Sequence, residues 1–448
     1  MKPSNAASTP DNNAVRLAPV STAAGRLLLV TTVLICFLPP PIFRLIGLNY
    51  ATPGGSIFEK IHPGTYCAIA GTALLTLSSG GRAILSSLIR NAGMLIYFIL
   101  FTLFLLYVAI FCETPISPIV DTFLLPAFII ILSGASTRAD LSGLSATIHI
   151  YMAANTALAI FELVSGWRIL PSIYFRPDLG ITVGLYDWRP SALSGHPLTG
   201  AALTGVYLLA CLVTKQLTSP FFRIFTIGWS SVGLVAFGGR AALVFCAAVT
   251  MIYLAGNLIK IVSGFRVASH IYPVIIIVPV SIVLFGSLVA VGGLADQFLD
   301  RWDQDHGSAF TRYIALQIIQ DQPFGNLVFG LPSEYIAELS VRYKTPYGIE
   351  SFFLNFILLY GLIGFAVFMP ALFLISQSAV RMTQPAGWLI ILFIFANAAV
   401  SVSLSGKTTL FAASLVVILA VLGHGEHRVR RVNSPVGKGM PKQLGNPW

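Results

Sequence analysis

The chain reads as an all-α polytopic membrane protein of about 12 transmembrane helices, with one long outer loop carrying short amphipathic helices. Three features lead there. Hydrophobic residues make up 56% of the chain and charged residues only 10%, where soluble domains carry about 25% charged residues. The mean hydropathy is +0.82. Apolar runs follow one another at the length that helices need, about 17 to 25 residues, and the short alternating segments of a membrane barrel are absent.

Residues 1–25 are polar, rich in Ser, Asn, Ala and Pro, and read as a disordered cytoplasmic tail. Arg26 then opens the first apolar run. It ends in Pro39, Pro40 and Pro41 rather than in a small-residue cleavage site, so an uncleaved span is expected. Spans are expected at 27–43, 64–80, 92–112, 117–134, 145–164, 196–214, 221–237, 240–257, 271–293, 351–375, 385–402 and 406–422. The chain thus divides into the tail, a membrane region over 26–293, a cap loop over 294–350, a second membrane region over 351–422 and a basic cytoplasmic tail over 423–448.

The net charge of +10 does not point to nucleic acid, because the basic residues are scattered one or two per loop and form no patch. They follow the positive-inside bias instead. With the N-terminus inside, Arg26, Arg82, Arg90, Arg138, Lys215, Arg223, Lys260, Arg266 and Arg381 fall on the cytoplasmic side with the basic tail. The outer side holds fewer, among them Arg44, Lys60, Arg168, Arg189, Arg240, Arg312, Arg342 and Lys407. An even number of spans puts both termini inside. The five cysteines show neither metal-ligand spacing nor a disulfide framework.

The acids gather on the expected outer side. Glu113, Asp121 and Glu162 stand at outer span ends, although a charge at membrane depth costs about 2.5–3.5 kcal/mol. The cap loop holds Asp296, Asp300, Asp303, Asp305, Asp321, Glu334, Glu338 and Glu350, 8 of the chain's 17 acidic residues. A loop of this length is uncommon unless it is functional or disordered. Its aliphatic and aromatic residues at helical spacing favour a folded cap.

Four constellations could carry chemistry. Asp187 to Ala201 places Arg189 before a proline and then leads through Ser194, Gly195, His196 and Pro197 into a span. A helix N-terminus beside an arginine suits a diphosphate; Arg189 as a simple interfacial anchor, and His196 as either a base or a cap, remain open. Phe237 to Val244 puts Arg240 in a tight turn after two glycines, at the depth of a lipid phosphate, with interfacial anchoring again the plainer alternative. In the cap loop, Phe310, Tyr313, Ile314 and Ile318 share a face, which predicts a helix over 308–320 stopped by Pro323 and Gly325. A turn-rich apolar segment should follow, then a short helix over 334–342 with Ser333 at its N-cap. Last, Glu350 is the final acid before a strongly apolar span. It serves either as a desolvated base or as an ordinary acid at a helix start. No Walker A motif, zinc signature, Gly-x-Ser-x-Gly or metal-type Asp pair occurs.

In this order, with the long outer loop between the last two, these pieces resemble the O-antigen ligase / Wzy-type polymerase superfamily of bacterial surface polysaccharide synthesis, the exopolysaccharide polymerase branch more than the ligase branch. The matching residues are Arg189 with Ser194-Gly195-His196-Pro197, Gly239-Arg240-Ala241, Arg312 ahead of Asp321-Gln322-Pro323-Phe324-Gly325, and Glu350-Ser351-Phe352-Phe353-Leu354 through Gly361-Leu362-Ile363-Gly364. The resemblance implies a glycosyltransferase-C-like membrane fold in the bacterial inner membrane. Its periplasmic face would join undecaprenyl-diphosphate-linked repeat units to a growing polysaccharide with inversion, without a metal ion or other cofactor. It implies that Arg189 and Arg240 hold the lipid diphosphate. Ligases of this family have a His-Asn pair where this chain has Ile349-Glu350, which makes Glu350 the candidate base. Arg312, His196, Arg342 and Tyr347 are the candidate substrate-binding residues. The expected partners are the lipid-linked oligosaccharide, the polymer, membrane lipid and a chain-length regulator. A ligase acting on another acceptor and a lipid-linked oligosaccharide flippase or other transporter are the competing readings. The crowding of polar groups on one side argues against the flippase.

Overall fold

The structure is a computed structural model that describes residues 12–50, 55–79, 81–112, 114–170, 174–176, 181–183, 189–214, 219–267, 271–272, 275, 308–343, 345, 348–401, 404 and 406–423. It is a helical bundle. In chain order the helices are α1 (Asn12–Phe37), α2 (Pro40–Leu45), α3 (Pro63–Ser79), α4 (Arg82–Arg90), α5 (Ala92–Phe111), α6 (Ser117–Ala135) and α7 (Arg138–Ser165). After a short hairpin of β1 (Tyr174–Arg176) and β2 (Ile181–Val183) come α8 (Pro197–Val213), α9 (Pro220–Ala236) and α10 (Arg240–Val262). The cap supplies α11 (Ser308–Gln320), α12 (Phe324–Phe329) and α13 (Ser333–Arg342), and the chain closes with α14 (Phe352–Arg381), α15 (Gly387–Ala399) and α16 (Leu410–Leu422).

Among the described residues five helices are long and apolar enough to cross a membrane: α5, α6, most of α7, α10 and α14. Five shorter apolar helices accompany them: Thr22–Phe37 within α1, and α8, α9, α15 and α16. This is a multi-span helical membrane protein. The span expected at 271–293 lies almost wholly outside the described residues, as does the first part of the cap loop.

Burial sorts the helices. α16 is buried along its whole length and α8 along nearly all of it, as helices that are apolar all round should be. The two pack together at the centre. α5 lies along α14 and turns Leu95, Leu103, Leu106 and Ile110 outward, where lipid would meet them. Between α5, α6 and α14 stands a stack of rings: Phe104, Phe123 and Phe356 lie 4.8, 4.5 and 4.9 Å from Phe368, within the range in which aromatic pairs attract.

The departures from expectation have local causes. The first span does not run on to residue 43. α1 stops at Phe37 and α2 starts at Pro40, because Pro39 has no N–H to give and turns Leu38 out of the helical region. α7 begins earlier than expected, at Arg138, where Thr137 and Asp140 form a capping box. α4 and the hairpin were not expected at all. In the cap, α11 has the predicted bounds, but Tyr313 is 64% exposed and the buried stripe is Ile314, Ala315 and Ile318. Gly325 does not stop a helix: it lies inside α12, where a turn-rich segment was expected. Ser333 is the first residue of α13, with Pro332 at the cap position.

α14 is interrupted at Gly361, whose φ of 68° and ψ of 175° suit only glycine. A Cβ there would stand 2.2 Å from the carbonyl oxygen of Val328. The cap docks in the gap: Leu331 N–H donates to Leu358 O at 2.7 Å and the Tyr107 hydroxyl donates to Phe329 O at 2.9 Å. Ile314, Ile318, Leu331, Ile336, Leu339 and Ile349 close over Leu358 as a core separate from that of the bundle.

Contacts define two ends of the bundle. At the cap end, His62 meets Leu38, Glu162 meets Ser191, Gly239 meets Ala201 and Thr122 meets Gly406. At the opposite end Thr214 Oγ1 donates to Val421 O, and the buried Arg223 donates to Thr214 O at 2.7 Å, placing a cation at the negative C-terminus of α8. Arg223 was expected in a cytoplasmic loop; it is only 2% exposed.

Candidate functional site

The loop that carries Arg189 and His196 is held by two buried polar side chains of α7. Glu162, 2% exposed, accepts the N–H groups of Ser191 and Ala192 at 2.9 Å on one oxygen and that of Ile169 at 3.1 Å on the other. Two turns earlier on α7, Asn155 accepts Leu193 N–H at 3.0 Å and donates to Ser194 Oγ at 3.1 Å. The loop is bent hard enough that Ala192 takes a φ of 44°, a left-handed conformation that few side-chain-bearing residues adopt. Gly195, with a φ of 68°, backs onto Pro39 and Pro41, where a Cβ would come within 2.8 Å of both.

His196 is the N-cap of α8. Its Nδ1 accepts the N–H of Leu198 at 3.1 Å. That nitrogen is committed to the helix, so of the two readings left open for His196 the structure displays the cap. Arg189 is half-buried at the entrance of the loop.

The second constellation seats on the same helix. Gly238 turns the chain with a φ of 63° and Arg240 becomes the first residue of α10, half-buried. A Cβ on Gly239 would stand 2.5 Å from the Ala201 Cβ, and one on Gly200 would stand 2.4 Å from the Phe237 ring. Two missing side chains thus let the Phe237–Arg240 turn press against the first turns of α8. The structure brings the Arg189–His196 loop and the Gly239–Arg240 turn to one helix N-terminus from positions far apart in the chain.

Glu350 lies two residues before the first residue of α14, next to its N-cap Ser351. It is half-buried between Ile349, 4% exposed, and Ser351, whose Oγ accepts Leu354 N–H and caps the helix. The N–H of Ser351 reaches back to Ile349 O at 2.9 Å, so a tight turn presents Glu350 at its apex. Arg312 is half-buried on α11 and Arg342 is exposed in the last turn of α13. Tyr347 lies outside the described residues, as does Glu113.

One cluster was missed as a site. Asp121 is fully buried in a π-helical turn near the start of α6, a local widening that often marks function. It accepts the Tyr50 hydroxyl at 2.9 Å, the Thr65 hydroxyl at 2.7 Å and the His62 N–H at 3.0 Å. His62 contacts Leu38 O through Nε2 and accepts Gly64 N–H on Nδ1; this is the neutral tautomer, and burial holds its pKa below the usual value. Lys407 Nζ donates to Tyr50 O at 2.8 Å and sits 3.7 Å from the centroid of the Tyr50 ring. The sequence signal was a single carboxylate opening an apolar run; its donors stand more than fifty residues earlier in the chain, where no spacing links them to it.

Neither family models nor curated protein sequences give a match to this chain.

Proposed function

We propose that this polytopic membrane protein is a lipid-diphosphate-dependent polysaccharide polymerase, joining undecaprenyl-diphosphate-linked repeat units at the cap end of the bundle. The observation that carries the reading is the convergence of the Arg189–His196 loop and the Gly239–Arg240 turn on the N-terminus of α8. Helix N-termini favour anions, and arginine suits a phosphate because its planar fork can donate two parallel hydrogen bonds. On this reading Arg189 and Arg240 take up the charge that develops on the leaving diphosphate. Glu350, at the apex of its turn, accepts the proton of the acceptor hydroxyl. That oxygen forms the new bond to the anomeric carbon while the old carbon–oxygen bond breaks, its electron pair leaving with the lipid diphosphate. One displacement inverts the anomeric centre. The cap encloses the acceptor from above, with Arg312 and Arg342 on its helices, and the face is periplasmic.

The test is reconstitution. The purified protein in lipid is given the undecaprenyl-diphosphate repeat unit, with EDTA and no nucleotide, and the products are separated on a gel. A ladder is expected, lost in Arg240→Ala and Glu350→Gln. Movement of the lipid-linked sugar across the bilayer without a ladder would replace the polymerase with a transporter.

A further inference from the structure

We propose that α12 is immersed in the lipid leaflet at the cap end and anchors the cap to the membrane surface through Phe324 and Phe329. Hydropathy places the whole loop outside the membrane, because six residues are far too short for a span. The helix nevertheless holds no charged residue. Leu327 packs against the small core of the cap, whereas Phe324, Gly325 and Phe329 are exposed, the two rings by 75% and 52%. A single exposed apolar side chain needs no explanation. What distinguishes these two is the level at which the fold holds them.

α5 and the part of α14 that follows Gly361 lie side by side and antiparallel. At one end Ser378 Oγ donates to Asn91 Oδ1 at 3.0 Å, just before α5 begins. Toward the other, a Cβ on Gly364 would stand 3.1 Å from the Tyr107 ring. α5 has 20 residues. At about 1.5 Å per residue, it and the stretch from Gly361 to Arg381 are each about 30 Å long, the thickness of a hydrocarbon core. Gly361 and the last turn of α5 therefore mark the same hydrocarbon boundary. The end of α12 is fixed at that level twice over. A Cβ on Gly361 would stand 2.2 Å from Val328 O, and the Tyr107 hydroxyl, one turn before the end of α5, donates to Phe329 O at 2.9 Å.

The exposed rings continue the lipid face of α5. Ile110 and Phe111, at the end of that helix, are exposed, and the Phe111 ring lies 5.4 Å from the Tyr107 ring. α13 has the opposite character: Glu334, Glu338 and Arg342 are its exposed charges. The cap thus pairs an uncharged helix, tied to the bundle at the hydrocarbon boundary, with a charged one suited to water. That is the division found in helices lying in the interface, whose apolar side sinks about 5–10 Å into the headgroup and acyl boundary. The occupant that fits the two rings is the acyl region of a phospholipid.

The experiment uses the full chain and reads depth in the bilayer, so it stands apart from the polymerase reading. Trifluoromethylphenylalanine is placed at Phe324 and the protein is reconstituted in phosphatidylcholine nanodiscs. Broadening of the fluorine resonance is measured with dissolved oxygen, which concentrates in lipid, and with a water-soluble nickel chelate. The same label at Leu103, on the outward face of α5, gives the lipid reference, and at Glu338 the water reference. The ratio of oxygen to chelate broadening at 324 is expected to exceed that at 338 by about threefold or more, as an apolar group sunk in the interface should. A smaller ratio at 324, with Leu103 still reporting lipid, overturns the proposal and leaves the span assignment standing. Protection of 324 from both reagents also overturns it, since protein and not lipid would then cover the ring. Should the label at 324 prevent folding, Phe329 carries the same comparison.

Discussion

The carboxylate of Glu162 receives the backbone N–H of Ser191 at 2.9 Å, from inside the bundle, two residues after Arg189. An acid that looks in sequence like an outer span end is thus a peg for the loop that presents the arginine. Glu162→Ala strips three backbone donors of their acceptor. It should cost about 3 kcal/mol, since hydrogen bonds to charged groups contribute about 1.5–3 kcal/mol and stranded donors add to the loss. Glu162→Gln, which keeps an acceptor oxygen, should cost less. Unfolding in detergent measures both; equal stability of wild type and Glu162→Ala would remove the peg.

Gly239, the N-cap of α10, and Gly256, within the helix, give a contrasting pair. Gly256 faces open space, whereas a Cβ on Gly239 meets Ala201 at 2.5 Å. On the polymerase proposal, Gly256→Ala should leave polymer formation intact; it should also stabilise the helix by about 0.5–1 kcal/mol. Gly239→Val should push the Arg240 turn off α8 and abolish polymer at normal protein level. If Gly239→Val makes polymer as well as wild type does, the contact has no bearing on function.

Much of this arrangement could be read from residue order. Span positions follow from apolar runs, and α11 follows from its own spacing, because helix formation is decided within a window of neighbours. Arg189, Arg240 and Glu350 were visible as charges at the edges of apolar runs. What could not be read is pairing at a distance. The three donors that surround Asp121 come from residues 50 to 65, and Lys407 joins them from the far end of the chain. Likewise the bond from Leu331 to Leu358 depends on a helix break that hydropathy averages away. Gly361 stands in an apolar run that reads as one uninterrupted span.

That break gives the third prediction. Gly361→Ala places a side chain in a conformation that only glycine holds without strain and against the Val328 carbonyl. The cap should lose its seat while the bundle stays folded, because the two have separate cores. Limited proteolysis should then cut between Phe324 and Arg342 at least tenfold faster than in wild type. An unchanged cleavage pattern would show that the cap does not depend on this gap.

Lys407 gives the pH prediction, and the sign follows from proton counting. Its ordinary value of 10.5 falls to about 8 in the fold. Below about 8 both folded and unfolded states carry the charge. Between about 8 and 10.5 the unfolded chain binds a proton that the folded one has released, so stability rises with pH. The groups around it are Lys60, Asp121, His62 and Tyr50. Of these, Tyr50 is held well above its ordinary value by burial and by Asp121. Above pH 10 the unfolded chain alone loses that phenolic proton, and stability turns down again. The unfolding midpoint should therefore climb from pH 8 to about 9.5 in wild type and stay flat in Lys407→Gln. A midpoint that falls from pH 8 upward in wild type, or rises equally in Lys407→Gln, would take the titration away from this residue.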